Sequence, residues 1–378
     1  MRILFALPGL HRHDRGAEIV FMSLATELAQ LGCEMTLVGS GQPRSDTAYR
    51  FLHAGALRRE RFEHWPKLPL LRGETSYEEA SFIPGLLRRY RPADYDLTMT
   101  CSFPFVHWAL RRGGAGHRPA HVFVTQNGDW PVRSNAAEFR FFACDGLVCT
   151  NPDYFEDGRT RWPASLIPNG VDLERFRPGP AERQRFGLPS AGQIVLMVSA
   201  LIPSKRVIDG VRATAALPGV HLVCAGDGPE RDAVDALANE LMPERFTRLS
   251  VRATEMPALY RSVDTFLHLS LDEPFGNVFI EALSSGLPVV GNDSLRTRWI
   301  VGDHEFLCDT NDQAALVAAL RAGLAGKFAG RNERRRRAQL FSWSAVARQY
   351  LDFFEQVFAN RRHKSQQQSS QSPGSASS

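Results

Sequence analysis

Residues 273–290 read EPFGNVFIEALSSGLPVV, a carboxylate, a proline and a glycine followed by a helical pattern with a second carboxylate eight positions after the first. The flanks of this stretch decide the fold. TFLHLS before it and PVVGN at its end are strand patterns, so the helix joins two strands that run parallel. A helix opening near Asn277 leaves the amides of Asn277 and Val278 without intrahelical partners, and Gly276 lets a ligand approach the backbone. Amides at a helix start, backed by the helix dipole, bind phosphate. Glu281 lies one turn on, over the face of Asn277, and Glu273 is held just ahead of the helix by Pro274. Two acids around a phosphate-binding helix start suit the two sugars of a sugar nucleotide. The plain alternative is an acid favouring the dipole and a solvent-facing Glu281, and spacing by itself leaves both open.

The same alternation extends outward in both directions. RILFAL is a strand pattern, and residues 17–31 then place Val20, Leu24, Leu28 and Leu31 at helical spacing before Gly32 ends the run. EMTLVG, DLTMTC, HVFVT and GLVCT follow as short apolar runs, and a second series opens with IVLMVSA and VHLVCAG. Strands and helices alternating in this way make α/β domains whose parallel sheets are covered on both faces. Between the two series, LERFRPGPAERQRFGLPSAGQ lacks apolar periodicity and reads as an interdomain connector. WSAVARQYLDFFEQVF carries Trp343, Val346, Tyr350, Phe353, Phe354 and Phe358 at helical spacing and must bury that face. The polar end, KSQQQSSQSPGSASS, reads as disordered.

The 378 residues suffice for two domains. No apolar run has the length to cross a bilayer, and the N-terminus lacks a cleavage-type signal pattern, which points to the cytoplasm. A net charge of +4 does not argue for nucleic acid. The six cysteines form no C-x-x-C pair and read as reduced buried thiols. His11 and His13 lack an evident third metal ligand and read as solvated or acceptor-facing. Basic clusters at Arg58, Arg59 and Arg61 and at Arg88, Arg89 and Arg91, with Trp65, Leu68, Leu70 and Leu71 close by, offer a lipid interface as one reading. The near-balance of opposite charges through the first half favours solvated faces. Arginine supplies nearly all the positive charge, so Lys205, one of four lysines, stands out inside the orderly stretch VSALIPSKR.

The segment around Asn277 resembles the E-x7-E region of the family 4 retaining glycosyltransferases, which have the GT-B fold. Other stretches match that family in order: RGAE (15–18), IPNGVD (167–172), VSALIPSKR (198–206), CAGDGPE (224–230) and FSWSAVARQYL (341–351). The resemblance implies two Rossmann-like domains facing across a cleft. Residues 1–168 would form an acceptor-binding domain joined by a returning C-terminal helix over 342–360, residues 169–341 a donor-binding domain, and 361–378 a disordered tail. It further implies that Glu281 binds the donor ribose, that the amides of Asn277 and Val278 beside Gly276 hold the phosphates, and that Glu273 positions the sugar. Lys205 would neutralise the diphosphate leaving group, with Gly16 facing that diphosphate. The family needs no bound metal or other cofactor: the donor is a nucleotide-diphosphate sugar and the acceptor a glycan, a lipid-linked sugar or a small molecule. The chain departs from the pattern at Ala200, where an arginine is common, so Arg206 becomes the candidate second cation, with a solvated helix-start residue as the alternative. VTQNGDW replaces a first-domain histidine and makes Asp129 either an acceptor-side acid or a turn residue. These departures give some weight to a scaffold that binds a sugar nucleotide without turnover; Glu273, Glu281 and Lys205 weigh against it. A dinucleotide oxidoreductase is the weaker reading, because neither G-x-G-x-x-G after the first strand nor an acid at the end of the second is present.

Overall fold

The computed structural model describes residues 1–113, 118–126 and 137–370. The chain forms two compact units, one of Met1–Asn169 with Trp343–Ser378, the other of Gly170–Ser342.

The first unit holds seven strands: β1 (Arg2–Ala6), β2 (Glu34–Gly39), β3 (Arg50–His53), β4 (Leu97–Thr100), β5 (Ala120–Val124), β6 (Gly146–Cys149) and β7 (Ala164–Leu166). They lie in the order β3-β2-β1-β4-β5-β6-β7, every adjacent pair parallel. Ile3, Phe5, Met35, Leu37, Val122 and Val124 point into one core with Val20, Phe21, Leu24 and Leu28 of the helix Gly16–Gln30. That helix ends where the pattern requires, because Gly32 takes the left-handed φ of +89°.

The second unit holds β8 (Ile194–Val198), β9 (His221–Ala225), β10 (Phe246–Leu249), β11 (Thr265–His268), β12 (Val289–Asn292) and β13 (Phe306–Cys308). The order β10-β9-β8-β11-β12-β13 is again wholly parallel. Each sheet therefore reverses its winding once, between β1 and β4 in the first unit and between β8 and β11 in the second. Helices leaving the carboxyl ends of two such neighbours go to opposite faces, which opens a crevice where sheets of this kind bind ligands.

Two expectations about the connecting segments change. The stretch after Asp172 is no loose connector. Phe176 and Leu188 are buried in the second core, and Arg183 reaches Asp264 at 2.9 Å and the carbonyl of Ser262 at 3.1 Å. Arginine-rich, aperiodic sequence here is an arm packed on its own unit. The C-terminal helix runs Trp343–Ser370, so Arg361–Ser370 are helical where disorder is expected. Val346, Tyr350, Phe353, Phe354 and Val357 seat it in the first core, and Gly146 lets it lie close, since a Cβ there would stand 2.6 Å from Val357. Beyond this apolar stripe Arg361 pairs with Asp145 at 2.8 Å, and the lysine and glutamines that follow are good helix formers.

Candidate functional site

In the second unit the crevice is lined by the two chain segments that leave β8 and β11. The β8 segment turns through Pro203–Lys205 into the helix Val207–Ala215. The β11 segment runs from His268 to Glu273 and then into the helix Asn277–Ser284. Gly276 caps that helix with φ +89°, a left-handed conformation that a side chain would strain; a Cβ would also meet the Phe279 ring at 2.8 Å. Phe279, Ile280 and Leu283 anchor the helix in the core, which fixes where its first turn begins.

These turns bring Lys205 and Glu273, 68 residues apart, into an ion pair on Glu273 Oε1. The same oxygen lies 3.2 Å from His268 Nε2. An ionised carboxylate can only accept, so Nε2 carries the hydrogen and donates it. Burial on its own would raise the Glu273 pKa, but the hydrogen bond and charge of His268, with the charge of Lys205, outweigh it and hold the group at about 2. Glu273 is therefore a fixed anion across the working pH range. Behind it, Arg296 donates to the main-chain carbonyl of Glu273 and reaches Asp272 at 3.0 Å.

Glu281 sits one turn into the helix and accepts a bond of 2.9 Å from the Tyr260 hydroxyl. Burial raises its pKa to about 7, opposed by the Tyr260 bond and the charge of Arg175. It is an acid at the neutral boundary, unlike Glu273 eight residues earlier.

Arg206 is turned to other partners. It takes φ +53° and directs its guanidinium to Asp209 at 2.9 Å, Thr310 Oγ1 at 3.0 Å and the Thr310 carbonyl at 2.9 Å. It braces the loop after β13 and is not solvated. Gly16 opens its helix, and burial raises the pKa of Glu18 two residues on. Asp129 lies outside the described residues. His11, read as solvated or acceptor-facing, is buried: it bonds the Gln42 carbonyl at 3.0 Å and the Tyr49 hydroxyl at 2.9 Å, and stacks on Phe51. Among the described residues no cluster of three metal-ligating side chains occurs, and no helix is long and apolar enough to cross a membrane.

Sequence reasoning missed His268, Tyr260 and Arg296. His268 left a signal, a titratable side chain at the last position of an otherwise apolar buried strand; the other two left none.

Residues 15–175 match the family model described as Glycosyltransferase Family 4, and residues 180–339 that described as Glycosyl transferases group 1. The lipopolysaccharide core biosynthesis glycosyltransferase LpsE of Rhizobium meliloti (strain 1021) is 28% identical over 316 residues, 81% of this chain and 85% of that protein. A D-inositol 3-phosphate glycosyltransferase of Mycobacterium tuberculosis is 38% identical over 135 residues, 33% of this chain and 28% of that protein. Among solved structures, a sucrose-phosphate synthase from Thermosynechococcus elongatus superposes with a TM-score of 0.78 at 22% identity, over 95% of this chain and 99% of that one. HepE of Anabaena, solved in complex with UDP-glucose, gives 0.68 at 19% identity, over 94% and 100%.

Proposed function

From its membership of the family 4 glycosyltransferases of GT-B fold, we propose that this chain moves a hexose from a nucleotide-diphosphate sugar to a glycan or lipid-linked acceptor, with retention at the anomeric carbon and without a metal. The observation that carries the reading is the Lys205–Glu273–His268 cluster at the head of the Asn277 helix, with Glu281 one turn on. The helix start receives the diphosphate, and the amides of Asn277 and Val278 beside Gly276 hold its oxygens. Glu281 accepts from the ribose hydroxyls. Glu273, kept anionic, accepts from the hexose hydroxyls and faces the positive charge that develops as the glycosidic bond breaks. Lys205 stabilises the negative charge gathering on the departing diphosphate. The acceptor oxygen attacks on the face that the diphosphate leaves, its proton passing to a phosphate oxygen. Glu273 positions and stabilises in this scheme and forms no covalent bond. The likeness to lipopolysaccharide core transferases supports an oligosaccharide acceptor carried on a lipid, which the enzyme would meet as a peripheral protein on the cytoplasmic face of the membrane.

The test is a panel of UDP- and GDP-hexoses. One donor is expected to raise the unfolding midpoint and, with an oligosaccharide acceptor, to give a product whose anomeric proton coupling matches that of the donor. Inverted configuration would reject the mechanism, and stabilisation without transfer or hydrolysis would leave a sugar-nucleotide-binding scaffold.

A further inference from the structure

Two donors share one oxygen of Glu273. Lys205 Nζ and His268 Nε2 both meet Oε1, and among the described residues nothing bonds Oε2. The two donors are held differently. The Lys205 side chain is 20% exposed and rides on a flexible stem, whereas that of His268 is 4% exposed. The His268 ring lies nearly parallel to Phe266, with 6.2 Å between centroids, and meets Phe279 edge to face at 4.8 Å. Phe279 is also the ring that closes on Gly276, so the histidine and the start of the Asn277 helix rest on one support. The lysine is the movable partner and the histidine the fixed one.

Lys205 cannot serve two anions at full strength. A diphosphate carries more negative charge than one carboxylate, so at contact distance it attracts the ammonium more strongly. Once the ammonium turns to the diphosphate, the Glu273 side chain loses its charge pair. Arg296 holds Glu273 by the main-chain carbonyl and leaves the carboxylate alone. A carboxylate 15% exposed that has lost every donor takes up a proton or turns out to water. The bond from His268 remains to keep it charged and in place.

We propose that His268 is a positioning residue for the transfer: donor binding draws Lys205 from Glu273 to the diphosphate, and His268 then holds Oε1 by itself, leaving Oε2 for a hexose hydroxyl. The inference rests on the donor reading of this crevice. It adds an exchange of partners at Glu273 and gives His268, buried at the end of β11, the part of keeping that carboxylate aligned through it.

The experiment compares the full-length native protein with His268→Leu, which keeps the apolar pattern of β11 and removes the donor, and with His268→Gln, whose amide N–H can still donate to Oε1. The readouts are the affinity for UDP or GDP, whichever matches the donor found in the panel, and kcat and KM for that sugar nucleotide. Loss of one hydrogen bond to a charged group should lower kcat of His268→Leu by about tenfold to a hundredfold. KM and the affinity for the nucleoside diphosphate should stay within about threefold of native, and His268→Gln should recover most of the rate. A histidine that merely supports the fold would lower nucleotide affinity and kcat together and would gain nothing from glutamine over leucine. If His268→Leu does not fold, His268→Asn takes its place: its amide is one carbon shorter than that of glutamine and falls short of Oε1, so its kcat should drop as expected for leucine. A leucine or asparagine variant with kcat within about threefold of native, a parallel loss of nucleotide affinity, or a glutamine variant no faster than these would overturn the inference. Failure of the donor reading shows separately: no sugar nucleotide or nucleoside diphosphate would bind the native protein, and the inference would fall with it.

Discussion

The two units share a strand order and a reversal of winding, yet what they place at the reversal differs in kind. In the second unit the crevice holds a cation and an anion in contact, Lys205 with Glu273, beside a helix start that bears no carboxylate in its first turn. In the first unit the helix start is followed by a buried Glu18, and among the described residues Glu78 and Glu79 each have one carboxylate oxygen without a partner. One crevice pairs a cation with an anion, and the other gathers buried acids. Fold alone does not choose between these; a few side chains on the first turns after the strands do.

The largest effect expected on this contrast is that of Lys205→Ala. Removing a charge-assisted bond to the leaving group costs ~2–3 kcal/mol in the transition state, roughly 30- to 150-fold in turnover. Steady-state rates with the preferred sugar nucleotide check this. Unchanged turnover would remove Lys205 from the chemistry.

A pair of effects opposite in sign is expected in stability against pH. The pKa of Glu79 is raised from an ordinary 4.5 to about 8, so its protonated form contributes stability that is fully present below 4.5 and is lost as pH rises through 8. Glutamine cannot ionise, so the midpoint of Glu79→Gln relative to native should climb over that window. The pKa of Glu273 is lowered from 4.5 to about 2. Its contribution is present above 4.5 and is lost as pH falls through 2, so Glu273→Gln should lower the midpoint at neutral pH, and the deficit should shrink in acid. Thermal melts of the three proteins across pH give the two slopes; slopes of the same sign would show that the crevices are not electrostatic opposites.

Much of this contrast was legible in the sequence, and what escaped has physical causes. The central strands read clearly because burial on both faces makes them continuous apolar runs, as in IVLMV and HLVCA. The strands without such a reading, β3, β7, β10 and β13, are the four sheet edges. They are short and half-exposed, with mixed sequences such as RFLH and FTRL. The residues proposed for the donor side were legible because they cluster within one segment and one loop. Glu18, Glu78 and Glu79 were not, since 60 positions separate the first from the second and acids on a helix ordinarily face water. Only the packing of the Glu74–Arg89 helix shows that the last two are buried.

The smallest effect concerns Arg206, the residue nominated to replace the arginine absent at Ala200. Its φ of +53° costs a non-glycine residue about 1–2 kcal/mol, which Arg206→Gly would relieve. The variant would also lose the contacts to Asp209 and Thr310, about 0.5–1.5 kcal/mol each, and would loosen the unfolded chain by a further ~0.4–1 kcal/mol. The losses outweigh the gain by about 2 kcal/mol at mid-range, so the midpoint should fall by several degrees. Turnover separates the two roles. A brace predicts a rate within about threefold of native, whereas a cation on the diphosphate predicts a fall on the scale of Lys205→Ala. In the first case a single cation, Lys205, serves the leaving group from this loop; in the second, Arg206 must let go of Thr310 when the donor arrives, and the loop after β13 would move with it.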